Sequence, residues 1–361
     1  MDSSLDSARK EINEIDAELA KLFEKRMHAV EAVAEYKKER GLPILDPERE
    51  AIIVSRSAEL VKSEELRPFF VSYIKSVMAV SRSYQEKLIS GTRVAFSGDV
   101  GAYAYIATDK MFPDAVKVSF KSFTEAYRAV EEGECELAVL PLENSTNGEV
   151  GEVNDLLFTG SLFVNRVYDL PITHDLLGIK GATADDIKLV LSHPQALGQC
   201  RDYIRQHGFD TTEFANTATA AKEVSKLADP TVAAIASAEA AKEFGLTTLD
   251  KNLCESRSNT TRFAVLSRTE CKSAAVNSVS SLLLFTVKHE AGALAGAIDI
   301  IGKCGFNMLS LRSRPIKDAL WQYYFIVEIE GNIYSREGEV MLNVLRGYCD
   351  KVKPVGTYDK P

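Results

Sequence analysis

The N-terminal region carries a repeat of seven residues, and this repeat constrains the fold more than any other feature of the sequence. Its two rows of mostly apolar side chains are Leu5, Ile12, Leu19, Arg26 and Val33, and Ala8, Ile15, Leu22, Ala29 and Tyr36. The spacing predicts one helix of about 35 residues, about 50 Å long at about 1.5 Å per residue. A helical region of roughly 90 residues cannot easily cover so long a helix by itself. We therefore expect two copies of the chain to pair in an intertwined helical dimer.

Arg26 occupies a position in this repeat where leucine or isoleucine is expected. A buried arginine is unfavourable without a partner. The side chain therefore either sets the register, pairs with a nearby glutamate, or binds an anion. Lys37 follows eleven residues later, which is nearly three helical turns. The two cations then share one face of the helix, about 16 Å apart along its axis, and long side chains in this arrangement favour an anionic ligand.

Two further helices contribute polar side chains. Gly41-Leu42-Pro43 ends the first helix, and Asp46-Pro47 has the pattern of an N-cap followed by a first helical residue. A third helix is predicted from about Pro68. The polar residues of interest on the second and third helices are Asp46, Arg49, Glu50, Ser81 and Gln85. Each alone is most often an ordinary solvated residue, although the last two are four apart and share a face.

In combination, these residues resemble the active-site pattern of the all-helical chorismate mutases. The resemblance covers residues 4–90 and rests on Arg9, Arg26, Lys37, Asp46, Arg49, Glu50, Ser81 and Gln85. It implies two interlaced chains, with Arg9 reaching the site of the partner chain. It also implies that Arg9 and Arg26 bind the carboxylates of chorismate, and that Lys37 and Gln85 donate to the ether oxygen. The catalytic residues are then Lys37, Gln85 and Arg26.

The same resemblance assigns the rest of the pocket. Glu50 and the backbone near Asp46 are expected to bind the ring hydroxyl, while Arg49 and Ser81 complete the site. Rearrangement of chorismate to prephenate is pericyclic and needs neither a nucleophile nor a general base. The site has to hold a dianion in a compact form and stabilise the negative charge that develops on the ether oxygen. A neutral glutamine at position 85 donates at every working pH.

Residues 92–268 alternate short β-branched runs with helical segments, which is typical of an α/β fold with a mostly parallel sheet. Strands are predicted at 93–96, 116–120, 136–144, 187–194, 232–237 and 262–267. Three polar motifs border these strands, namely PLENSTNG (141–148), SHPQALGQC (192–200) and SNTTRF (258–263). Each alone also fits an ordinary turn or cap. Polar groups at strand ends and helix starts together suit an anion-binding cleft.

The three motifs in this order resemble prephenate dehydratase over residues 92–268. The resemblance implies two α/β lobes around a cleft, like the type II solute-binding proteins, with crossings near 173–178 and 247–251. Thr261 is the implied donor to the departing ring hydroxyl, a step that needs a hydrogen-bond donor or acid. The implied substrate-positioning residues are Asn144, Ser145, Ser192 and Gln199. Arg262 either binds a substrate carboxylate or orients Thr261.

One segment departs from the dehydratase pattern. The family usually has hydroxyl residues in G-x-x-G-[ST]-[FY]-[ST], whereas this chain has Ala102 and Ala104 at two of those positions. Two potential hydrogen-bond donors are thereby replaced by methyl groups. We expect some active-site contacts to differ, without a change in the identity of the domain.

The C-terminal region repeats the strand and helix alternation in a smaller unit. The predicted order is a strand (281–287), a helix (293–303), two strands (307–312 and 321–330) and a helix (335–346). This is a ferredoxin-like βαββα order. The region resembles an ACT domain, which is the usual phenylalanine sensor of prephenate dehydratases. The implied effector residues are Gly292, Ala293, Leu294, Arg312 and Ser313.

Two departures weaken the match to the ACT effector motifs. Ala295 has less apolar volume than the valine of the family, and Arg312 reverses the charge of the family's glutamate. A cation there is expected to disfavour the amino group of an amino acid. The region therefore either binds L-phenylalanine and mediates feedback inhibition, or serves only as a structural dimerisation domain.

Composition limits the remaining possibilities. The net charge of −9 gives no overall field for nucleic acid or an anionic membrane. The polar N-terminus is unlike a signal peptide, and no apolar run approaches a membrane span. The six cysteines are scattered, so reduced thiols and a cytoplasmic location are expected. With histidine they offer no metal spacing, and neither reaction calls for a cofactor.

The sequence therefore predicts three domains, namely a chorismate mutase domain (1–90), a prephenate dehydratase domain (91–270) and an ACT regulatory domain (279–361). Residues 270–278 form the expected linker. The predicted function is a bifunctional homodimeric enzyme of L-phenylalanine biosynthesis that acts on chorismate and then on prephenate. The alternatives are a dehydratase that prefers arogenate and a non-catalytic ligand-sensing protein.

Overall fold

The computed structural model describes residues 2–255, 258–270, 279–317 and 319–359. The chain divides into two compact units between Arg93 and Val94. The predicted linker lies outside the described residues except for Glu270, as does Cys271. Among the helices of the described ranges, none is long and apolar enough to cross a membrane.

The first unit is helical. It consists of α1 (Asp2–Arg40), α2 (Pro47–Glu59) and α3 (Arg67–Ser90). The side chain of Asp46 caps α2 by accepting from the Arg49 backbone N–H at 3.0 Å, as the sequence predicts. Gly41, with φ of +61°, ends α1 in the left-handed region that favours glycine.

Most of the apolar repeat on α1 is uncovered within one chain. Val30 and Ala34 are buried against the rest of the unit. The exposed apolar side chains of α1 are Leu5, Ile12, Ile15, Leu19, Leu22, Phe23, Val33 and Tyr36. A contiguous apolar stripe of this length is typical of a protein–protein contact.

Beyond α3 the chain alternates strands and helices. The strands are β1 (Arg93–Ser97), β2 (Val116–Phe120), β3 (Leu137–Asn144), β4 (Gly148–Glu149), β5 (Phe163–Pro171), β6 (Asp175–Gly178), β7 (Leu189–Ser192), β8 (Asp210–Glu213), β9 (Val232–Ala236), β10 (Thr247–Asp250), β11 (Thr260–Ser267), β12 (Val279–Thr286), β13 (Asn307–Pro315), β14 (Tyr323–Glu330) and β15 (Lys351–Asp359). The helices are α4 (Tyr103–Met111), α5 (Phe123–Glu131), α6 (Gly151–Thr159), α7 (Pro194–Gln199), α8 (Arg201–His207), α9 (Thr217–Leu227), α10 (Ala238–Phe244), α11 (Ala293–Lys303) and α12 (Arg336–Tyr348).

The first lobe is built on a mixed sheet with the order β2-β1-β3-β11-β5. Strands β1 and β3 are parallel, but β11 is antiparallel to both β3 and β5. The prediction of a mostly parallel sheet is therefore wrong for this lobe. The reason is topological, because β11 is added after the chain has passed through the second lobe and enters the sheet from the opposite end.

The second lobe has the strand order β10-β6-β9-β7-β8. Its strands β7, β8 and β9 are parallel, whereas β6 is antiparallel to β9 and β10. The chain leaves the first lobe between β5 and β6 and returns between β10 and β11. The predicted two-lobed α/β arrangement is present. The return crossing lies beyond the predicted residues 247–251, because residues 247–250 form β10 and pair with β6.

The C-terminal part folds as a four-stranded sheet with the order β13-β14-β12-β15 and with α11 and α12 as its helices. Its strand pairings are antiparallel, which gives the βαββαβ order of a ferredoxin-like fold. The final strand β15 was not predicted, since a run with proline and glycine reads poorly as a strand. Gly356 on β15 has no room for a Cβ beside the Val164 carbonyl of β5, so this strand packs closely on the first lobe.

Candidate active sites

A cavity of about 590 Å³ lies among the three helices of the first unit. Its polar lining residues are Arg26, Lys37, Asp46, Arg49, Glu50, Ser81, Arg82 and Gln85. The sequence predicted all of these except Arg82. Helix periodicity explains part of this clustering, because Arg26 and Lys37 share a face of α1 and Ser81 and Gln85 share a face of α3.

Hydrogen bonds hold the cationic side chains of this pocket. The Arg26 guanidinium donates to Ser81 Oγ, and Ser81 Oγ donates to the Val77 carbonyl at 2.8 Å. Lys37 Nζ donates to the Ile44 carbonyl at 2.5 Å, which holds the ammonium near the start of α2. The arginine in the apolar repeat is thus half-buried against a hydroxyl group and the cavity, rather than paired with a glutamate.

Gln85 is buried at the base of the pocket, with 8% of its surface exposed. Its Nε2 donates to the Ser81 carbonyl at 3.3 Å, and its Oε1 has no hydrogen-bond partner among the described residues. One Nε2 hydrogen therefore remains for a ligand. This arrangement suits the predicted donation to the ether oxygen.

Arg82 is a pocket residue that the sequence analysis missed. Its guanidinium forms an ion pair with Glu50, and both side chains are about one third exposed. The sequence signal was weak, because Arg82 is adjacent to Ser81 and so about 100° away from it around α3. Its presence brings the cations in the pocket to four, with Arg26, Lys37 and Arg49. Such an excess over the acids Asp46 and Glu50 favours an anionic ligand.

Arg9 does not line this pocket. It precedes Arg26 by seventeen residues, about 25 Å along the helix, and its side chain is 68% exposed, 3.8 Å from Asp6. The structure therefore separates Arg9 from the other predicted mutase residues within one chain.

A second cavity, of about 550 Å³, lies in the cleft between the two α/β lobes. Its lining includes Asn144, Thr261 and Phe263 from the first lobe and His193 and Gln199 from the second. Thr261 pairs with Asn144 across β11 and β3. The pairing explains how motifs more than a hundred residues apart meet at one edge of the sheet.

Asn144 and Thr261 are hydrogen-bonded in the cleft. Asn144 Nδ2 donates to Thr261 Oγ1 at 2.9 Å, and Asn144 Oδ1 accepts the backbone N–H groups of Thr146 and Asn147, each at 3.0 Å. Backbone N–H groups only donate, so these contacts fix which atom of the amide is the oxygen. Thr261 therefore receives a hydrogen bond from Asn144.

Ser145 and Ser192, which were predicted to position the substrate, are not among the residues that line the cleft cavity. Ser145 Oγ donates to the Ser258 carbonyl at 2.8 Å and accepts from the Thr260 N–H at 2.9 Å. Ser192 is fully buried and donates to the Ile235 carbonyl at 2.5 Å. Both hydroxyls satisfy backbone groups near the cleft, one beside Thr261 and the other between β7 and β9.

Arg262 faces away from the cleft. Side chains alternate along a strand, so the residue between Thr261 and Phe263 lies on the opposite face of β11. Its guanidinium forms two hydrogen bonds to Asp169, at 2.8 and 3.0 Å, and lies 3.6 Å from Glu328. Hydrogen bonding to Asp169 raises the pKa of Arg262 above its ordinary value. Of its two predicted roles, binding of a substrate carboxylate would require the guanidinium to leave this ion pair, and both roles stay predictions.

Lys121 and His174 are cleft residues that the sequence analysis did not identify. Lys121 follows β2 and is the one lysine or arginine among the described residues that line the cleft. His174 lies in the crossing between β5 and β6 and is 2% exposed. Burial lowers the pKa of His174 to about 4, so its imidazole is neutral near pH 7. Both residues read as ordinary loop positions in the sequence.

The two alanines that depart from the dehydratase pattern also line the cleft. Ala102 precedes α4 and Ala104 lies in its first turn. Methyl groups therefore face the space where the family usually has hydroxyl groups. The departure falls within the site itself.

The predicted effector residues occupy two elements of the ferredoxin-like sheet. Gly292, with φ of +84°, precedes α11, and Ala293 and Leu294 are in its first turn. Arg312 and Ser313 lie on β13. Arg312 forms an ion pair with Glu143 at 2.6 Å, so an acid of the dehydratase lobe compensates the charge that was expected to repel an amino group.

Comparisons with known proteins match the helical unit and the two-lobed α/β part to two different families. Residues 8–86 match the family model of chorismate mutase type II, and residues 94–271 match that of prephenate dehydratase. A bifunctional chorismate mutase/prephenate dehydratase of Buchnera aphidicola subsp. Schizaphis graminum (strain Sg) is 31% identical, over 98% of this chain and 95% of the relative. The chain belongs to the bifunctional chorismate mutase/prephenate dehydratase family. It rearranges chorismate to prephenate and converts prephenate to phenylpyruvate.

Two solved structures resemble about three quarters of this chain. A prephenate dehydratase from Arthrobacter aurescens, in complex with L-Phe, has a TM-score of 0.70 and 26% identity, covering 74% of this chain and 90% of that one. A protein described as GqqA, a novel type of quorum quenching acylase, has a TM-score of 0.68 and 31% identity, covering 74% and 98%. Among the described residues of this chain, no group of histidine, cysteine, aspartate or glutamate is placed to hold a metal ion.

Proposed function

We propose that the helical pocket binds chorismate through its four cations and that the interlobe cleft dehydrates prephenate with Thr261 as the hydrogen-bond donor. The observation that carries the mutase assignment is that Arg26, Lys37 and Gln85 line one cavity. The observation that carries the dehydratase assignment is the contact of Asn144 with Thr261 inside the cleft.

In the mutase pocket, Arg26 binds a carboxylate, while Lys37 and Gln85 donate to the ether oxygen as its bond to the ring breaks. Donors that face the site of developing charge stabilise the transition state more than the ground state. Glu50 accepts from the ring hydroxyl, with Arg82 holding its carboxylate in place. No proton changes place in this reaction, so fixed cations suffice.

The mutase site of one chain is completed by Arg9 of a second copy. Two observations support this proposal, namely the distance of about 25 Å between Arg9 and its own pocket and the exposed apolar stripe on α1. Pairing of two such stripes would bury apolar surface along α1 and bring a foreign Arg9 to each pocket. The active form is then a homodimer.

In the dehydratase cleft, the bond from the ring to the carboxylate carbon breaks and releases carbon dioxide. The electron pair enters the ring, which becomes aromatic as the ring hydroxyl departs. Thr261 donates a hydrogen bond to that leaving oxygen, which departs as hydroxide and takes its proton from water. Among the cleft residues that the structure describes, Lys121 is the cation available for a carboxylate of prephenate.

The decisive experiment supplies chorismate and follows prephenate and phenylpyruvate with time. The proposal expects prephenate first and phenylpyruvate after it, with Thr261→Ala halting the sequence at prephenate. A Thr261→Ala chain that still forms phenylpyruvate at the normal rate would remove the assigned donor. Loss of both activities in that variant would contradict the division of the sites.

L-Phenylalanine is proposed as a feedback inhibitor that binds at the ferredoxin-like sheet. Support comes from the relative solved in complex with L-Phe and from the placement of Gly292 at the start of α11. Titrating L-phenylalanine at fixed prephenate tests the idea, and a flat activity curve to millimolar concentration would contradict it.

Arogenate is the second candidate substrate for the cleft. It carries an ammonium group in place of the keto oxygen of prephenate, and Glu152 contributes a carboxylate to the cleft lining. Attraction between these charges favours the aminated substrate. Measuring kcat/KM for both compounds distinguishes the two candidates.

A further inference from the structure

Thr261 is the first member of a chain of side-chain hydrogen bonds that passes between the lobes. From Thr261, the chain continues through Asn144 to Asn259, with Asn144 Nδ2 lying 2.8 Å from Asn259 Oδ1. Asn259 Nδ2 lies 2.9 Å from Gln199 Oε1 at the end of α7. Asn259 is on the return crossing, so this chain joins the first lobe to the second through residues that are buried or half-buried.

The chain extends from Gln199 to the outward crossing. Gln199 Oε1 lies 2.9 Å from His174 Nε2, and His174 Nδ1 lies 2.8 Å from the Tyr103 hydroxyl. The Tyr103 hydroxyl is also 2.5 Å from the Thr173 carbonyl. Both crossings therefore contribute one side chain that contacts Gln199.

The directions of the bonds from Asn144 to His174 follow from one fixed amide. The backbone contacts of Asn144 Oδ1 leave its Nδ2 as the donor to Thr261 and Asn259, with the Thr260 carbonyl further away at 3.3 Å. Since Asn259 accepts with its oxygen, its nitrogen donates to Gln199 Oε1. Gln199 Oε1 is then an acceptor, so His174 carries its hydrogen on Nε2.

Two donor groups are left for a substrate by this arrangement. Thr261 Oγ1 accepts from Asn144, so its own hydroxyl hydrogen is available to the cleft. Gln199 uses its oxygen twice, and its Nε2 is buried without a hydrogen-bond partner among the described residues. Gln199 lines the cleft, so a buried, unpaired donor is present beside the substrate cavity.

We propose that Asn259 and His174 are positioning residues of the dehydratase, which fix the amide of Gln199 so that its Nε2 donates to a carboxylate of the substrate. The inference rests on the proposed function, since it assigns the substrate of the cleft as an anion. Asn259 has a second effect, because it occupies one hydrogen of Asn144 and leaves the other for Thr261.

The test compares two isosteric variants at the ends of one hydrogen bond. In Asn259→Asp the carboxylate still accepts from Asn144 but cannot donate to Gln199, so the Gln199 amide rotates and presents its oxygen to the substrate. We expect KM for prephenate to rise about 10- to 100-fold, as for loss of a hydrogen bond to a charged group, with a smaller change in kcat. Gln199→Glu keeps both acceptor contacts but lacks the donor, and should show the same rise in KM.

Replacement of His174 adds an independent readout. His174→Gln retains an amide donor that can reach Gln199 Oε1 and should stay near the parent enzyme, whereas His174→Leu should raise KM as Asn259→Asp does. Asn343→Asp, on the exposed face of α12, is the matched control. Mutase activity of the same chain serves as an internal measure of enzyme concentration, because its pocket lies in the other compact unit.

The outcomes separate this inference from the proposed function. Asn259→Asp and Gln199→Glu with KM within threefold of the parent would overturn the inference while Thr261→Ala remains inactive. Activity retained in Thr261→Ala would instead overturn the assigned donor. Where His174→Leu does not fold, Asn259→Asp decides, since it preserves size and shape.

Discussion

The mutase pocket and the dehydratase cleft handle related anions with different side chains. The pocket contains four cations, whereas Lys121 is the one lysine or arginine among the described residues of the cleft. The cleft relies instead on oriented neutral groups, such as the amide of Asn144 and the hydroxyl of Thr261. The difference follows from the chemistry. A pericyclic rearrangement moves no proton and needs fixed charge, whereas loss of a hydroxyl group needs a hydrogen in the right place.

The largest effect is expected from removing the hydrogen donor of the cleft. Thr261→Ala should lower kcat for prephenate dehydration by about 10³-fold, at the upper end of the loss expected for one preorganised hydrogen-bond donor. Formation of prephenate from chorismate should be unchanged. Steady-state rates on prephenate and on chorismate measure this directly.

Thr211→Ala is the control for that prediction, because Thr211 is exposed on β8. If the Thr261 and Thr211 variants dehydrate prephenate equally fast, the contrast between a cleft based on donors and a pocket based on charge fails.

Removing a cation from the pocket is expected to have the next largest effect. Lys37→Ala should lower kcat for chorismate by about 10²- to 10³-fold, as for loss of one preorganised donor, while prephenate dehydration is retained. Lys38→Ala, one residue along on an exposed side of α1, is the matched control. Equal activity of the two variants would remove Lys37 from the site.

The same variant tests the shared pocket. Mixing inactive Arg9→Ala and Lys37→Ala chains under conditions that exchange subunits should restore about a quarter of parental mutase activity, because a mixed two-fold dimer has one intact pocket. Mixed chains that stay inactive would mean that Arg9 does not serve a partner's pocket.

A smaller effect is expected from protonation of His174. Its pKa is about 4 in the folded chain and 6.5 ordinarily, so the unfolded state binds more protons between these values. The resulting stability is present in full above pH 6.5 and is lost as pH falls toward 4. The difference corresponds to about 3 kcal/mol of unfolding free energy.

Denaturant unfolding of the parent and of His174→Gln between pH 4 and 7 measures this contribution. The parent should lose more stability than the variant across that range. Parallel curves would contradict a neutral, buried imidazole, and with it the contrast between the neutral cleft and the charged pocket.

The smallest effect is expected at the ion pair of Arg312 with Glu143, which is outside both cavities. The two side chains are each 31% exposed, and partly exposed pairs contribute about 1 kcal/mol or less. Arg312→Glu should therefore reduce the unfolding free energy slightly and increase sensitivity to L-phenylalanine. Calorimetry measures the unfolding free energy, and an inhibition curve measures the sensitivity to L-phenylalanine. Unchanged inhibition would leave Arg312 without a role at the effector site.

The sequence predicted the mutase pocket far better than the dehydratase cleft. In the pocket, Arg26, Lys37 and Gln85 are positioned by helix periodicity, and the Asp46 cap fixes the start of α2. These relations are local and can be read from spacing. The pairing of Arg82 with Glu50 could not, because it depends on how two helices pack.

The arrangement of side chains in the cleft depends on the pairing of strands that are far apart in the sequence. The identity of the motifs around Asn144, Gln199 and Thr261 was visible in the sequence, but the direction of their hydrogen bonds was not. The sequence left Arg262 either as a ligand for a carboxylate or as a residue that orients Thr261, and only the folded chain shows it paired with Asp169 and Glu328. The backbone contacts of Ser145 and Ser192 were likewise not visible in the sequence, since a hydroxyl near a site satisfies backbone groups as readily as a substrate.

The sequence by itself thus determined the helical unit and the order of the α/β lobes, because periodicity and caps are encoded over short stretches of chain. The two reactions followed from the resemblance of its motifs to known families. The tertiary structure alone decided which side chains face the cleft, which acid compensates Arg312, and how His174 and Asn259 direct Gln199. Each of these depends on strands and crossings distant in sequence. The burial of these side chains and the direction of their hydrogen bonds arise only when those segments meet. Neither can be predicted from a short stretch of sequence.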